Sequence, residues 1–413
     1  MVIVGAGPAG TALAWQLSRQ GVPVTLVEAS RRGDQQFRGQ GLMPSGLEAL
    51  QVLGLDPRSP EGALPPEGTW RPLAGWSFVL DRRPFFTVDE PMGSVAPCTL
   101  IEPGALLRHW HNRLRQRSGV QMRVGQPVVA LVEEGERVAG VTLADGSVLR
   151  ASLVVGCDGR ASTLRRLSGL PFHQEAAAPM EVLWFRLRAP ASGPIEDWLA
   201  DRFVTLVGPG GSGALFRRAD AGVQLGWGVA AGAGPGGEAG APDWRQRWAA
   251  AAPPELAALL RQLPERAIRG PVRLPVRVGW AERWHRPGLL LLGDAAHPMS
   301  PVRAQGLNMA LRDAAVAATH LRPALREAAG EAREAGLRAA LVRLEAERLP
   351  EIRAVQALQA EELGRAERLR QLPWLRALLA ASAPLSGPLL ARRWRASQRV
   401  LRDGLAPLPG PER

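Results

Sequence analysis

Residues 2–10 read Val-Ile-Val-Gly-Ala-Gly-Pro-Ala-Gly, and no other stretch narrows the possible folds so far. Three apolar residues lead into a GxGxxG pattern. Ala12, Leu13 and Leu17 then share a helical face, Gly21 ends the run, and residues 24–28 (VTLVE) read as a second strand. This is the opening of a βαβ unit. In such a turn Gly5 allows a tight bend, Gly7 lets backbone approach a pyrophosphate, and Gly10, after Ala9, lets the helix pack on the strand. The helix N-terminus offers amide N–H groups and the positive end of its dipole to an anion. Glu28 ends the second strand about twenty residues on, where a carboxylate accepts from both hydroxyls of an adenosine ribose and repels a 2′-phosphate. A purely structural glycine turn is the alternative, and the strand, helix and acidic residue around the motif argue against it. Residues 232–237 fit the same pattern but lack a following helix and an acidic-ended strand, so they read as a flexible loop.

Two later segments share this character. In LVVGCDGRASTLRR, Val154 and Val155 form a strand, Asp158-Gly159 turns the chain, and Ser162 is placed to cap a short helix. From spacing alone Asp158 is equally a turn residue or a functional one. In residues 289–315 a run of leucines breaks on Gly293-Asp294, passes a loop with two prolines, and enters a helix near Gly306-Leu307-Asn308. Gly293 lets backbone run close to a ligand, Asp294 accepts from polyol hydroxyls, and the helix start stabilises an anion forming beside it. The plainer alternative is a turn and a capped helix, with His297 simply a loop residue.

Composition removes several function classes. All 51 basic residues are arginine, and tyrosine is absent. Without lysine there is no Schiff base and no P-loop; without tyrosine there is no phenolic acid or base. The net charge of +12 is spread among glutamates rather than gathered in a stripe, which reads as a solvated surface and not a nucleic-acid site. Two cysteines make no disulfide framework and fit a reducing cytoplasm. No apolar run reaches the roughly 18 residues of a membrane span, and the opening shows no export signal. No metal site is expected.

The pattern of elements is interleaved. Residues 1–70, 97–170 and 280–330 read as a discontinuous dinucleotide-binding domain, 71–96 and 171–279 as a β-rich domain, and 331–413 as a C-terminal helical segment. Trp184, Phe185, Phe203 and Trp227 lie on strands of the second domain, where they would line an apolar pocket; ordinary core packing explains each about equally well.

GAGPAG with Glu28, the Arg38-Gly39 loop, GCDG, and GDAAHPMSPVRAQGLNMALRDA occur in one order between residues 5 and 314. Together they resemble the FAD-dependent single-component aromatic hydroxylases with the para-hydroxybenzoate hydroxylase fold. The resemblance implies an α/β architecture, with a Rossmann-like FAD-binding domain, an interleaved β-rich substrate domain and C-terminal helices. It also implies non-covalent FAD and NAD(P)H as transient reductant. Glu28 would bind the adenosine ribose, Arg38 the cofactor near pyrophosphate and flavin, and Asp158 the FAD, assisting the transient NAD(P)H. Asp294 would hold the ribitol chain. Pro301, Gly306, Leu307 and Asn308 would line the flavin ring, with Pro301 and Asn308 nearest the chemistry. The implied activity is hydroxylation or epoxidation of an aromatic or other apolar small molecule through a flavin C4a-hydroperoxide.

Two positions depart from the family pattern. Ala304 stands where glycine is usual, and Glu102 where a basic residue is. Relatives that hydroxylate phenols often use a tyrosine near the substrate hydroxyl; here a histidine, a water or no base must serve. A prenyl-chain reductase of the same fold and a flavin-binding protein without turnover remain as alternatives, whereas a flavin halogenase would need the missing lysine. A monomer or homodimer is expected. The apolar and basic segment 372–394 would touch a membrane surface or partner subunit, or, as is commoner, pack on its own core.

Overall fold

The computed structural model describes residues 1–31, 40–56, 69–175, 180–208, 211–230, 243–264, 266–274 and 276–408. Five parallel strands run in the order Leu289–Leu291, Val154–Gly156, Val2–Val4, Val24–Glu28, Val120–Val124, with His285–Arg286 antiparallel at one edge. Every residue of Leu289–Leu291, Val154–Gly156 and Val2–Val4 is buried. That explains why they read as unbroken apolar runs rather than alternating ones. The helices Pro8–Arg19 and Gln305–Arg326 pack together beside this sheet, and their apolar residues share its core.

A second sheet has seven strands in the order Ile268–Leu274, Met180–Leu187, Val223–Ala230, Gly211–Arg217, Arg202–Gly208, Gly75–Leu80, Arg83–Asp89. Segments 75–89 and 180–274, distant in sequence, therefore meet in one layer. Its two faces are both apolar but bury against different partners. Leu183, Phe185, Leu187, Leu225 and Trp227 pack under the helices Trp244–Ala251 and Pro254–Gln262. Trp76, Phe203, Phe216 and Trp184 gather on the other side with Met43, Leu73, Cys98 and Leu100.

The Gln305–Arg326 helix also packs against the 41-residue helix Glu331–Gln371. Between them lies a buried charge network. Arg312 reaches Glu48 at 2.7 Å and Glu351 at 3.1 Å, and Arg348 reaches Asp313 at 2.8 Å and also bonds Glu351. Charges this deep persist only when each is paired.

The C-terminal helices Pro373–Ala381 and Ala383–Ser397 lie over the edge strand Arg83–Asp89, covering backbone that would otherwise invite another strand. Arg376 anchors the first of them to Asp81 at 2.5 Å. The segment thus packs on its own domain, and Trp374, Leu378, Leu385 and Leu389 are left in solvent. Among the described residues no helix is long and apolar enough to cross a membrane.

Candidate functional site

A cavity of about 800 Å³ runs between the two sheets, from Glu28 at one end to the aromatic side chains Trp76, Trp184, Phe203 and Phe216 at the other. Its near end is built by the first turn. Gly5 has φ +103°, and a Cβ there would stand 2.3 Å from the Cys157 carbonyl oxygen. A Cβ at Gly10 would stand 2.0 Å from the Gly5 oxygen. Both glycines are therefore fixed by backbone contact, as the spacing suggested. Gly5, Gly7 and Ala9 line the cavity, while Gly10 sits behind it in the helix–strand contact. No side chain caps the Pro8–Arg19 helix, so its first amide groups are left for a ligand.

Glu28 lines the cavity and is oriented by backbone: Ala6 N–H donates to its Oε2 at 2.9 Å and Ser30 N–H to its Oε1 at 2.8 Å. Arg38 lies outside the described residues.

Asp158 lines the cavity, yet both its oxygens serve the helix Thr163–Ser168. Ser162 Oγ donates to Oδ1 at 2.5 Å and Leu164 N–H to Oδ2 at 3.0 Å. Asp294 lines the cavity and holds Arg160 Nε at 3.1 Å.

The turn before it is held from behind. Gly293 adopts φ +59° and its N–H donates to Asp313 Oδ2 at 3.0 Å. His297 Nε2 meets the same oxygen at 2.6 Å. Burial alone would raise the Asp313 carboxyl, but the charges of His297 and Arg348 outweigh it and hold it at about 2. His297 is thus no mere loop residue but a buried prop beneath the turn. Gly293 itself does not line the cavity.

Pro301, Gly306 and Leu307 line the cavity. Asn308 does not, which corrects the expectation that it borders the flavin. Its Oδ1 accepts Met43 N–H at 2.8 Å, and its Nδ2 donates to Gly41 O at 3.2 Å and Ala304 O at 2.9 Å. With every polar atom engaged, Asn308 staples residues 41–43 to the start of the Gln305–Arg326 helix. That helix has no side-chain cap either, so its positive end is open toward the cavity.

The aromatic end corrects a second expectation. Trp184 and Phe203 line the cavity, but Phe185 and Trp227 do not. Successive strand residues face opposite sides, so Phe185 turns from Trp184 into the helix-covered core. Trp227 pairs across the sheet with Leu183 and shares that face. In their place stand Trp76 and Phe216, which sequence reasoning missed. Phe203 and Phe216 stack at 5.1 Å between centroids, and Trp76 lies 4.9 Å from Phe203. Gln40, Cys98 and Arg303 complete this wall. Burial pushes the Cys98 thiol up, keeping it neutral. Glu102 caps the Pro103–Arg115 helix by accepting Gly104 and Ala105 N–H groups; neither it nor Arg108 lines the cavity.

These features fit an FAD. Two uncapped helix starts face anionic groups, carboxylates stand at Glu28 and Asp294 for hydroxyls, and the close backbone packing at Gly5 leaves room for a pyrophosphate.

Comparison with known proteins agrees. Residues 1–355 match the family model described as FAD binding domain. The chain is 35% identical over 373 residues to 6-methylpretetramide 4-monooxygenase of Streptomyces rimosus, covering 88% of this chain and 84% of that protein. It is 30% identical over 355 residues to rifampicin monooxygenase of Streptomyces venezuelae, covering 76% of this chain but only 62% of that longer protein. Among solved structures, PqsL of Pseudomonas aeruginosa, a probable FAD-dependent monooxygenase, shares the fold, with TM-score 0.73 at 24% identity over 90% of this chain and 98% of PqsL.

Proposed function

The chain belongs to the FAD-binding-domain family and is an FAD-dependent monooxygenase, and we propose that it uses NAD(P)H and O2 to place one oxygen atom on an aromatic small molecule held against Trp76, Trp184, Phe203 and Phe216. The observation that carries this reading is the continuity of the cavity from Glu28 to that aromatic wall. Relatives named for 6-methylpretetramide and rifampicin support a small-molecule substrate.

FAD, when bound, would supply the redox chemistry that links the nicotinamide and O2 to oxygen transfer. Glu28 accepts hydrogen bonds from the adenosine ribose. The first turn of the Pro8–Arg19 helix donates amide N–H groups to the pyrophosphate. Asp294 would accept from ribitol hydroxyls. Pro301, Gly306 and Leu307 border the ring, and the open start of the Gln305–Arg326 helix favours negative charge there. Stacked rings at the far end give planar substrates a face to lie on and exclude water from the reacting carbon. No histidine lines the cavity among the described residues, so no protein base is assigned to the substrate.

The two free thiols support a reducing, cytoplasmic setting. The exposed Trp374, Leu378, Leu385 and Leu389 support a peripheral contact with a membrane surface or partner subunit.

The test is a screen of aromatic compounds that follows NAD(P)H oxidation and peroxide release together. A true substrate speeds the first and lowers the share of the second. Reductant consumption that no compound alters, or that proceeds unchanged without O2, would overturn the proposal.

A further inference from the structure

Arg303 and Ala304 stand side by side in the left-handed region, at φ +57° and +51°. Residues with a Cβ adopt this region only at a cost, and such strain persists only where the surroundings hold it. Arg303 is held firmly. Its Nε donates to Glu362 Oε2 at 2.8 Å, from the Glu331–Gln371 helix. Its guanidinium carbon lies 5.0 Å from the ring centroid of Trp76, 4.9 Å from that of Trp394 and 5.8 Å from that of Phe78. The other Glu362 oxygen accepts the side-chain amide of Gln398. The two terminal nitrogens of Arg303 have no protein acceptor among the described residues.

Arg303 and Trp76 both line the cavity at its aromatic end. The other basic lining residues are placed differently: Arg160 engages Asp294, and Arg277 is exposed. The charged groups around Arg303 are Glu362 and, behind Trp76, the Glu90–Arg402 pair at 2.6 Å. None of those three lines the cavity, and the Cys98 thiol is held neutral by burial. Of the cations that line the cavity, Arg303 is thus the one in contact with the aromatic rings among the described residues.

We propose that Arg303 is the anion-binding residue of this chamber and takes an acidic oxygen of the substrate, a phenolate, enolate or carboxylate, on its free terminal nitrogens. The inference rests on the aromatic chamber being the substrate site. A phenol held there gives its proton to water and binds as the phenolate. The negative oxygen then raises electron density at the ring carbons ortho and para to it, where an electrophilic oxygen attaches. In a chain without tyrosine or lysine, the cation replaces a base by stabilising the product of deprotonation.

The test uses FAD-loaded enzyme and alizarin, a planar hydroxyanthraquinone whose neutral and ionised forms differ in colour. In the parent protein the bound dye should ionise about one pH unit or more below the free dye, a tenfold change in its ionisation constant. Arg303→Gln should abolish the shift and weaken dye binding about tenfold, while anthraquinone, which lacks hydroxyls, binds both proteins alike. Glu362→Gln keeps the guanidinium and should keep or enlarge the shift. An unchanged titration in Arg303→Gln would overturn the assignment. So would an equal loss in Glu362→Gln, since the pair would then matter only as structure. Alizarin that fails to bind the parent protein at all would remove the chamber's role as substrate site, and this inference with it.

Discussion

Asp313 accepts the backbone N–H of Gly293 at 3.0 Å, so a carboxylate two turns inside a helix fixes the turn that presents Asp294 to the cavity. The same oxygen meets His297, and the other meets Arg348. Asp313→Asn breaks a buried pair and should cost about 3–5 kcal/mol of stability. It should also weaken FAD binding roughly tenfold, about 1.4 kcal/mol, as the turn loosens. Denaturant unfolding and fluorescence titration with FAD measure the two effects. Parent-like values in both would deny Asp313 this role.

The pH dependence follows from the same group. Its folded value, about 2, lies below the ordinary 3.8. The stability it contributes is therefore fully present above about pH 4 and is lost as pH falls through about 2. The amount is roughly 2 kcal/mol. Unfolding free energies measured from pH 6 down to pH 2 should fall less steeply in Asp313→Asn than in the parent, and parallel curves would count against it.

Glu28 tests the cofactor end. Glu28→Gln retains a side chain of the same length but only one accepting oxygen. FAD affinity should fall tenfold or more, consistent with about 1.5–3 kcal/mol for a hydrogen bond to a charged group. Equilibrium dialysis of FAD against the variant is the measurement, and an unchanged dissociation constant would remove Glu28 from the site.

Trp184 and Phe185 are neighbours with opposite duties. Phe185→Ala opens a hole under the Trp244–Ala251 helix and should cost about 3–5 kcal/mol, with KM little changed in the protein that remains folded. Trp184→Ala removes part of the chamber wall and should raise KM several-fold at a smaller loss of stability. Similar profiles for both would contradict the two-faced sheet.

That pair also marks where the sequence stops being informative. GAGPAG was legible because backbone contacts at Gly5 and Gly10 exclude any Cβ, a local requirement that any reader of spacing recovers. The leucine run at 289–291 was legible because parallel strands buried on both faces show no alternation. The seven-stranded sheet hides its sides for the same reason: both faces are apolar, so Trp184 and Phe185 look alike. Asn308 was noticed for its rarity, but its partners at 41–43 lie some 265 positions away, and only tertiary structure shows that it joins two segments. Trp76, Phe216 and Arg303 escaped because a wall assembled from three distant loops and strands has no signature along the chain.

The family match ends at residue 355, yet Glu362 and Trp394, which hold Arg303, stand beyond it, and Gln398 bonds Glu362 from behind. The chamber walls lie within the matched residues, but part of the support for the cation that the guest meets comes from the tail. Exchanging the tail between relatives becomes a way to retune which guests are accepted while the oxygen-handling machinery stays as inherited.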